Sequence, residues 1–424
     1  MAPDTLLRLI AAVIVIVTAA RVLGWAVRRI GQPAVIGEIL AGILLGPTLF
    51  GGELTRSLFP SEVRPSLTVL AEIGVVVFMF LVGLELDQKL LRGQGRIASG
   101  VALSSIVFPF ALGALLALYL FQRHPTEHRL AFILFLGTAM SVTAFPVLAR
   151  ILTDRDLLGT PIGALAVTCA ALDDVVAWTL LAVVAALVGG ATGLWQIMLV
   201  VPFAVLLLFV LRPMLIRLGE RRAQAGDTWV GRVGVVIAVA VGLGLSAAVT
   251  EWMGLHLIFG AFLFGAAMPR EYGRRVREWA LPWVWRVSSL LLLPVFFAVA
   301  GLKVDLSGVG ATALGELVLI LLVAIGGKGI GAYVGARVHG IPPRHSAVLA
   351  TLINTRGLTE LIVLTVGLGL GVLDTELYSL MVVMALVTTA MTGVVLSLIY
   401  PEHCARADRE PAVDREPRPD RSGI

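Results

Sequence analysis

The sequence predicts an all-α polytopic membrane protein with about 13 transmembrane helices, built from inverted repeats with two crossed discontinuous helices. Three observations predict this fold class: the composition, a series of long apolar runs, and a similarity between the two halves of the chain. Of the 424 residues, 58% are hydrophobic and 14% are charged, and the mean hydropathy is +0.95. Soluble domains carry about 25% charged residues, so most of this chain is expected to contact the lipid bilayer.

The apolar runs are each long enough to cross a bilayer as a helix. The first run has no small-residue cleavage site after it, so we interpret it as a span and not as a removed signal peptide. The predicted spans are 5–27, 33–50, 67–86, 97–121, 130–153, 160–188, 193–218, 229–250, 254–269, 282–303, 312–338, 345–371 and 377–400.

Basic residues concentrate in alternate loops, and the even-numbered loops contain only Arg56, Arg64, Arg123, Arg129 and Lys303. The positive-inside rule therefore predicts a multi-pass cell-membrane protein with its N-terminus outside and its C-terminus in the cytoplasm. The same distribution explains the net charge of +5 without a nucleic-acid partner. Residues 1–400 form the predicted transmembrane domain, and 401–424 a charged, disordered cytoplasmic tail.

An internal repeat relates the two halves of the chain. Residues 35–47 resemble residues 257–269, and residues 78–87 resemble residues 296–305. The two members of each pair lie seven spans apart. Because this offset is odd, the second copy crosses the membrane in the opposite direction, as in the inverted repeats of secondary transporters. The alternative is chance similarity among helices rich in glycine and leucine.

Two adjacent carboxylates, Asp173 and Asp174, lie inside the apolar run 161–187. Ionisable groups at membrane depth are costly unless they face partners or water, so the pair predicts a functional site. Neighbouring residues of a helix point about 100° apart, so one carboxylate can hold a counter-charge while the other exchanges ions. The alternative is that the pair marks a helix end or a loop.

A proline in one span and a glycine in another, each accompanied by polar residues, interrupt two repeat-related spans. Pro146 removes a backbone donor from the fifth span, and Gly357 lies in the middle of the twelfth. Each span is predicted to be a broken helix, with an ordinary proline kink as the alternative at Pro146. The candidate site residues at the two breaks are Ser141, Thr143, Asn354, Thr355, Arg356 and Glu360.

Four charged positions within the spans are interpreted by the same reasoning. Lys328 lies deep in the eleventh span and is interpreted as the counter-charge to Asp173, with snorkelling to the interface as the alternative. Arg356 and Glu360 are four residues apart and can neutralise each other, or else contact the ion directly. Glu72 either lines an access path or hydrogen-bonds a neighbouring helix.

These motifs carry a resemblance to a known family. The chain resembles the monovalent cation:proton antiporters, in the branch with bacterial sodium/proton antiporters, Kef-like potassium efflux systems and plant cation/proton exchangers. The similarity extends to about Tyr400. The most specific segments are 143–152, Asp173-Asp174, Lys328 and 354–364.

The resemblance implies a dimerisation part and a six-helix core, built from about 67–188 and 282–400, that moves like an elevator in a homodimer. It implies that Asp174 binds a monovalent cation or a proton, and that Lys328 pairs with Asp173 as counter-charge or proton carrier. Thr143 corresponds to the threonine of the broken helix. Ala144 replaces a serine found in many relatives, so coordination there would rest on Thr143 and backbone carbonyls.

The expected function is that of a secondary active transporter that exchanges Na⁺ or K⁺ for protons, electrogenically, with no cofactor and no enzymatic activity. A channel-like uniporter is one alternative. An intramembrane aspartyl protease is another, but such an enzyme needs its two aspartates on different helices.

Overall fold

A computed structural model describes residues 3–49, 52–85, 95–155, 157, 160–217, 229–253, 256–268 and 281–400. The predicted disordered tail and the basic segments 86–94, 218–228 and 269–280 lie outside the described residues. The regular structure within the described ranges is helical throughout. The predicted all-α class is therefore confirmed.

Eight helices are assigned among the described residues of the first half of the chain. They are α1 Pro3–Arg29, α2 Ala34–Leu45, α3 Glu53–Leu58, α4 Arg64–Glu85, α5 Gly95–Leu120, α6 Arg129–Ser141, α7 Phe145–Asp154 and α8 Pro161–Met198.

The assigned elements among the described residues of the second half are α-helices and two π-helical segments. The α-helices are α9 Val200–Val205, α10 Trp229–Trp252, α11 Leu257–Ala267, α12 Leu281–Val287, α13 Leu293–Leu302, α14 Ala311–Val338, α15 Pro343–Ile353, α16 Leu358–Gly369 and α17 Thr375–Ile399. The π-helical segments are Leu206–Leu211, after α9, and Ser288–Leu292, between α12 and α13.

The long apolar helices are the candidate membrane spans. Among the described residues, eight stretches are long and apolar enough to cross a membrane, and α15 with α16, bent by 43° at their break, form a ninth. The helices α2, α6 and α11 are apolar but shorter. A multi-span bundle is confirmed, and the count of 13 is not. The predicted gap at 189–192 is helical, since α8 continues to Met198.

Close backbone contacts join α2 to α13. A Cβ atom on Gly42 would lie 2.2 Å from the Ala298 carbonyl oxygen, and one on Gly301 would lie 2.5 Å from the Ile39 carbonyl oxygen. Real Cβ atoms do not approach so closely, so both glycines are required for this helix crossing.

The same contact recurs between α4 and α11. A Cβ atom on Gly83 would lie 2.3 Å from the Phe262 carbonyl oxygen, and one on Gly265 would lie 2.3 Å from the Phe80 carbonyl oxygen. The segments of α2 and α11 are repeat-related, as are those of α4 and α13. Each copy therefore packs on the other in the same way, which supports the predicted inverted repeat.

The helices pack in two sets. In one set, α1, α2, α4, α10, α11 and α13 contact each other, and in the other, α5, α6, α7 and α8 pack with α14, α15, α16 and α17. The predicted core ranges 67–188 and 282–400 include α4 and α13, whose main partners are α2 and α11 of the first set. The assignment of a moving core stays a prediction.

Candidate functional site

The two predicted helix breaks contact each other. Residues 142–144 separate α6 from α7, and residues 354–357 separate α15 from α16. The backbone N–H of Ala144 donates to the carbonyl oxygen of Thr355 at 2.9 Å, which joins the two breaks directly. Three residues without helical structure are more than a kink, so the proline-kink alternative is wrong. Pro146 lies in the first turn of α7, where its missing N–H leaves no hydrogen bond unmade.

Gly357 allows the second break to approach α7. Its φ angle is +157°, and a Cβ atom at this position would lie 2.6 Å from Cγ2 of Val147. A larger residue would push the two breaks apart, because the side chain and the backbone conformation would both be strained.

Arg356 is completely buried at the end of α6. Its guanidinium donates to the carbonyl oxygens of Ala139 and Met140, each at 2.6 Å, and to Glu360 at 2.8 Å. The last carbonyls of a helix have no intrahelical donor, and a cation there also offsets the helix dipole. The predicted neutralisation of Arg356 by Glu360 is thus observed, and Arg356 additionally caps the broken helix.

Lys328 caps the same helix end. Its ammonium group donates to Oδ2 of Asp173 at 2.6 Å and also to the carbonyl oxygen of Ser141. The Lys328 side chain is 1% exposed, so it does not snorkel to an interface. The predicted pairing with Asp173 is present in the structure.

The hydroxyl groups at the first break face Asp173 or their own helix. The Thr143 hydroxyl lies within hydrogen-bonding distance of the Asp173 carboxylate and of the Ile353 carbonyl oxygen, the latter at 3.0 Å. Its single hydrogen serves one acceptor at a time. The Ser141 hydroxyl donates back to the Thr138 carbonyl oxygen at 2.8 Å, so Ser141 offers its backbone to Lys328.

The polar residues at the second break behave similarly. The Thr355 hydroxyl donates to the Leu352 carbonyl oxygen at 2.7 Å, and its own carbonyl accepts from Ala144. Asn354 is buried, and its Oδ1 atom has no hydrogen-bond partner among the described residues.

Asp174 differs from every other carboxylate at the crossing. It is 3% exposed, and the Thr359 side chain lies beside its carboxylate. Within the described part of the chain, its Oδ1 atom has no hydrogen-bond partner, which is also true of Oε1 of Glu360, but Glu360 has an ion pair with Arg356 and Asp174 has none. A buried, unpartnered carboxylate oxygen is suited to binding a dehydrated cation or a proton.

Thr359 was not among the predicted site residues. The signal for it was its position in the first turn of α16, immediately after the break and one residue before Glu360. Hydroxyls at a helix break supply oxygen ligands, but the sequence alone did not indicate which aspartate Thr359 would face.

The charges at the crossing leave one carboxylate unbalanced. Asp173 pairs with Lys328, and Glu360 pairs with Arg356. Asp174 is the third carboxylate, and no described lysine or arginine forms an ion pair with it. When all five groups are ionised, the site carries one net negative charge, which one monovalent cation or one proton neutralises.

A cavity of about 770 Å³ lies at the bundle end that carries residues 303–307. A smaller cavity of about 50 Å³ shares Lys303 with it and is lined by Glu72 and Ile362. Ile362 is one helical turn from Thr359 on α16. Glu72 therefore lines a small cavity between the two helix sets, and its role on an access path stays a prediction.

Comparison with known proteins agrees with this geometry. The family model described as "Sodium/hydrogen exchanger, transmembrane" matches residues 14–400. The chain belongs to the sodium/hydrogen exchanger family. This confirms the resemblance predicted from the helix breaks and the aspartate pair, and the exchanger is accordingly a monovalent cation/proton antiporter and a transport protein.

Curated relatives of the exchanger include the Na⁺/H⁺ antiporter NhaS4 of Synechocystis sp., which is 39% identical over 94% of this chain and 98% of that protein. Cation/H⁺ antiporter 20 of Arabidopsis thaliana is 39% identical over 91% of the chain. K⁺/H⁺ antiporter 1 of Saccharomyces cerevisiae is 30% identical over 88% of the chain. The exchanger spans 47% and 44% of the length of these last two relatives, respectively.

A solved structure shares the fold. The sodium proton antiporter MjNhaP1 from Methanocaldococcus jannaschii aligns with a TM-score of 0.62 over 95% of this chain and 99% of that one, at 13% identity. The predicted antiporter-like fold is therefore confirmed at the level of the overall arrangement.

Proposed function

We propose that the exchanger moves one Na⁺ or K⁺ against protons by alternate occupancy of Asp174. The supporting observation is that, among the described residues, Asp174 is the carboxylate of the crossing without a cationic partner. Either occupant neutralises the site, whereas the bare carboxylate leaves a buried charge that is costly in the membrane. Thr359 and Asn354 supply the nearby oxygen atoms at the second break.

The helices α5–α8 and α14–α17 form the moving part in this proposal, and they carry Asp174 past the first helix set like an elevator. The cavity between α4, α13 and α16 supports this division, because it lies where the two sets meet. Thr143 positions Asp173 and does not by itself hold the cation.

Exchange is proposed to be electrogenic. Exchange of one cation for one proton at Asp174 alone is electroneutral. A net charge moves when Lys328 releases a second proton as the cation binds, and the cation-loaded site then carries one net negative charge. The close ion pair between Lys328 and Asp173 supports this, since any rearrangement of Asp173 would leave the lysine uncompensated. The protein is further proposed to act as a homodimer in the cell membrane, with the N-terminus outside and the C-terminus in the cytoplasm.

Coupled flux in proteoliposomes tests the proposal. A cation gradient imposed at equal pH on both sides is expected to drive protons in the opposite direction, seen with a trapped pH-sensitive dye. Na⁺, K⁺ and Li⁺ are tested separately, and an imposed membrane voltage is expected to change the rate. Cation flux without any proton movement would indicate a uniporter and would overturn the proposal.

A further inference from the structure

A buried charge cluster lies at one end of the bundle, apart from the site at the crossing. His124, in the loop between α5 and α6, is 4% exposed. Its Nδ1 atom lies 2.5 Å from Oδ2 of Asp374, and its Nε2 atom lies 3.2 Å from Oε2 of Glu316. Arg123 donates to the other oxygen of Glu316 at 3.0 Å. Among the described residues, these three are the charged groups that surround the imidazole.

The arrangement suits a protonated ring. A neutral imidazole has one N–H donor, whereas both ring nitrogens of His124 face carboxylate oxygens. The imidazolium donates to both, and with Arg123 it balances the two carboxylates. Loss of one proton leaves a nitrogen lone pair against a carboxylate oxygen and one uncompensated negative charge.

The cluster joins the start of α14, the loop before α6 and the start of α17, at a distance from the crossing. Glu316 lies on α14, 12 residues before Lys328, so the two are roughly 18 Å apart along the helix. The loop of His124 leads into α6, whose last residue accepts a hydrogen bond from Lys328. Asp374 follows α16, which carries Thr359, and its Oδ1 atom caps α17 by accepting from Leu377 N at 2.7 Å.

The surroundings of His124 favour its charged form. Burial lowers the pKa of His124, but the hydrogen bonds to Asp374 and Glu316 outweigh burial and raise the pKa above its ordinary value of 6.5. The protonated, bridged form is therefore favoured at acidic pH and is lost as pH rises through the raised pKa.

We propose that His124 is a positioning residue for exchange. Its two bridges hold the outer ends of α6, α14 and α17 together, so that Ser141, Lys328 and Thr359 keep the geometry in which Asp174 binds the cation. This role rests on the proposed function of Asp174. It makes cation affinity depend on the protonation of a group that is not itself transported.

This role is tested by measuring the apparent KM for the cation in proteoliposomes from roughly pH 5.5 to pH 9. The quantity compared is the KM of each variant divided by the KM of the wild type at the same pH. His124→Gln is expected to raise KM by about threefold or more at acidic pH, and the ratio is expected to approach one at alkaline pH, where the wild type has lost its own bridge. His124→Arg keeps a fixed positive charge and is expected to give a lower KM than the wild type at alkaline pH.

One control variant, which should have no effect, and one variant of the bridge partner, which should reproduce the effect, make the test specific. His128→Gln changes an exposed histidine of the same loop and is expected to give a ratio of one at every pH. Asp374→Asn keeps an acceptor for the α17 cap but weakens the bridge, so it is expected to behave like His124→Gln.

A ratio that does not change with pH, in variants that exchange ions and fold normally, would overturn the role of His124 alone. If His124→Gln does not fold, His124→Arg and Asp374→Asn decide the question. A wild-type protein without coupled exchange would contradict the proposed function itself.

Discussion

Asp174→Asn is expected to abolish coupled exchange, with a decrease in rate of at least about 100-fold. Asparagine is close to aspartate in size but carries no charge, so it neither binds a proton nor neutralises a cation. A bound cation would then leave a net positive charge at a buried site, and several kcal/mol of unfavourable energy correspond to a loss of this size. The measurement is cation-driven proton movement in proteoliposomes, with the amount of folded protein matched by size-exclusion chromatography.

Glu53→Gln is the matched control for this change, because Glu53 is an exposed carboxylate in the first turn of α3. It is expected to leave the rate unchanged. Retention of pH-dependent Na⁺ or K⁺ exchange by Asp174→Asn would remove Asp174 from the proposed role.

Arg356→Met is expected to destabilise the folded protein by about 3–5 kcal/mol, because it leaves the buried Glu360 without its counter-charge. The same substitution leaves the carbonyl oxygens of Ala139 and Met140 without donors at the end of α6. Unfolding of the detergent-solubilised protein by heat or denaturant, followed by tryptophan fluorescence, measures the loss.

Two further variants separate the contributions. Arg356→Met combined with Glu360→Met removes both charges and is expected to be less destabilising than the single change, although the carbonyls stay uncapped. Arg8→Met breaks an exposed ion pair to Glu62, 3.6 Å long, and is expected to cost less than about 1 kcal/mol. A single Arg356→Met variant as stable as the wild type would show that Arg356 does not hold the crossing together.

Much of the site could be predicted from the sequence because charged residues in apolar runs require partners. Lys328 had no nearby carboxylate in its own span, so Asp173 was the natural counter-charge. Arg356 and Glu360 lie one helical turn apart and could be paired from spacing alone. Pro146 and Gly357 indicated both breaks through their backbone properties.

The remaining features depend on contacts between residues far apart in the chain. The capping of α6 by Lys328 and Arg356 requires knowledge that this helix ends beside α14 and the second break. Thr359 could not be assigned to Asp174 before the direction of α16 was known. His124 and Asp374 are 250 residues apart, and no local pattern joins them.

Alternate occupancy of Asp174 makes the proton a competitor of the cation, so the apparent KM for the cation as a function of pH is the decisive measurement. Below the pKa of the carboxylate, KM is expected to rise by about tenfold for each unit by which pH falls, while the maximal rate at saturating cation changes little. A KM that stays constant across the acidic range would show that cation and proton do not share the site.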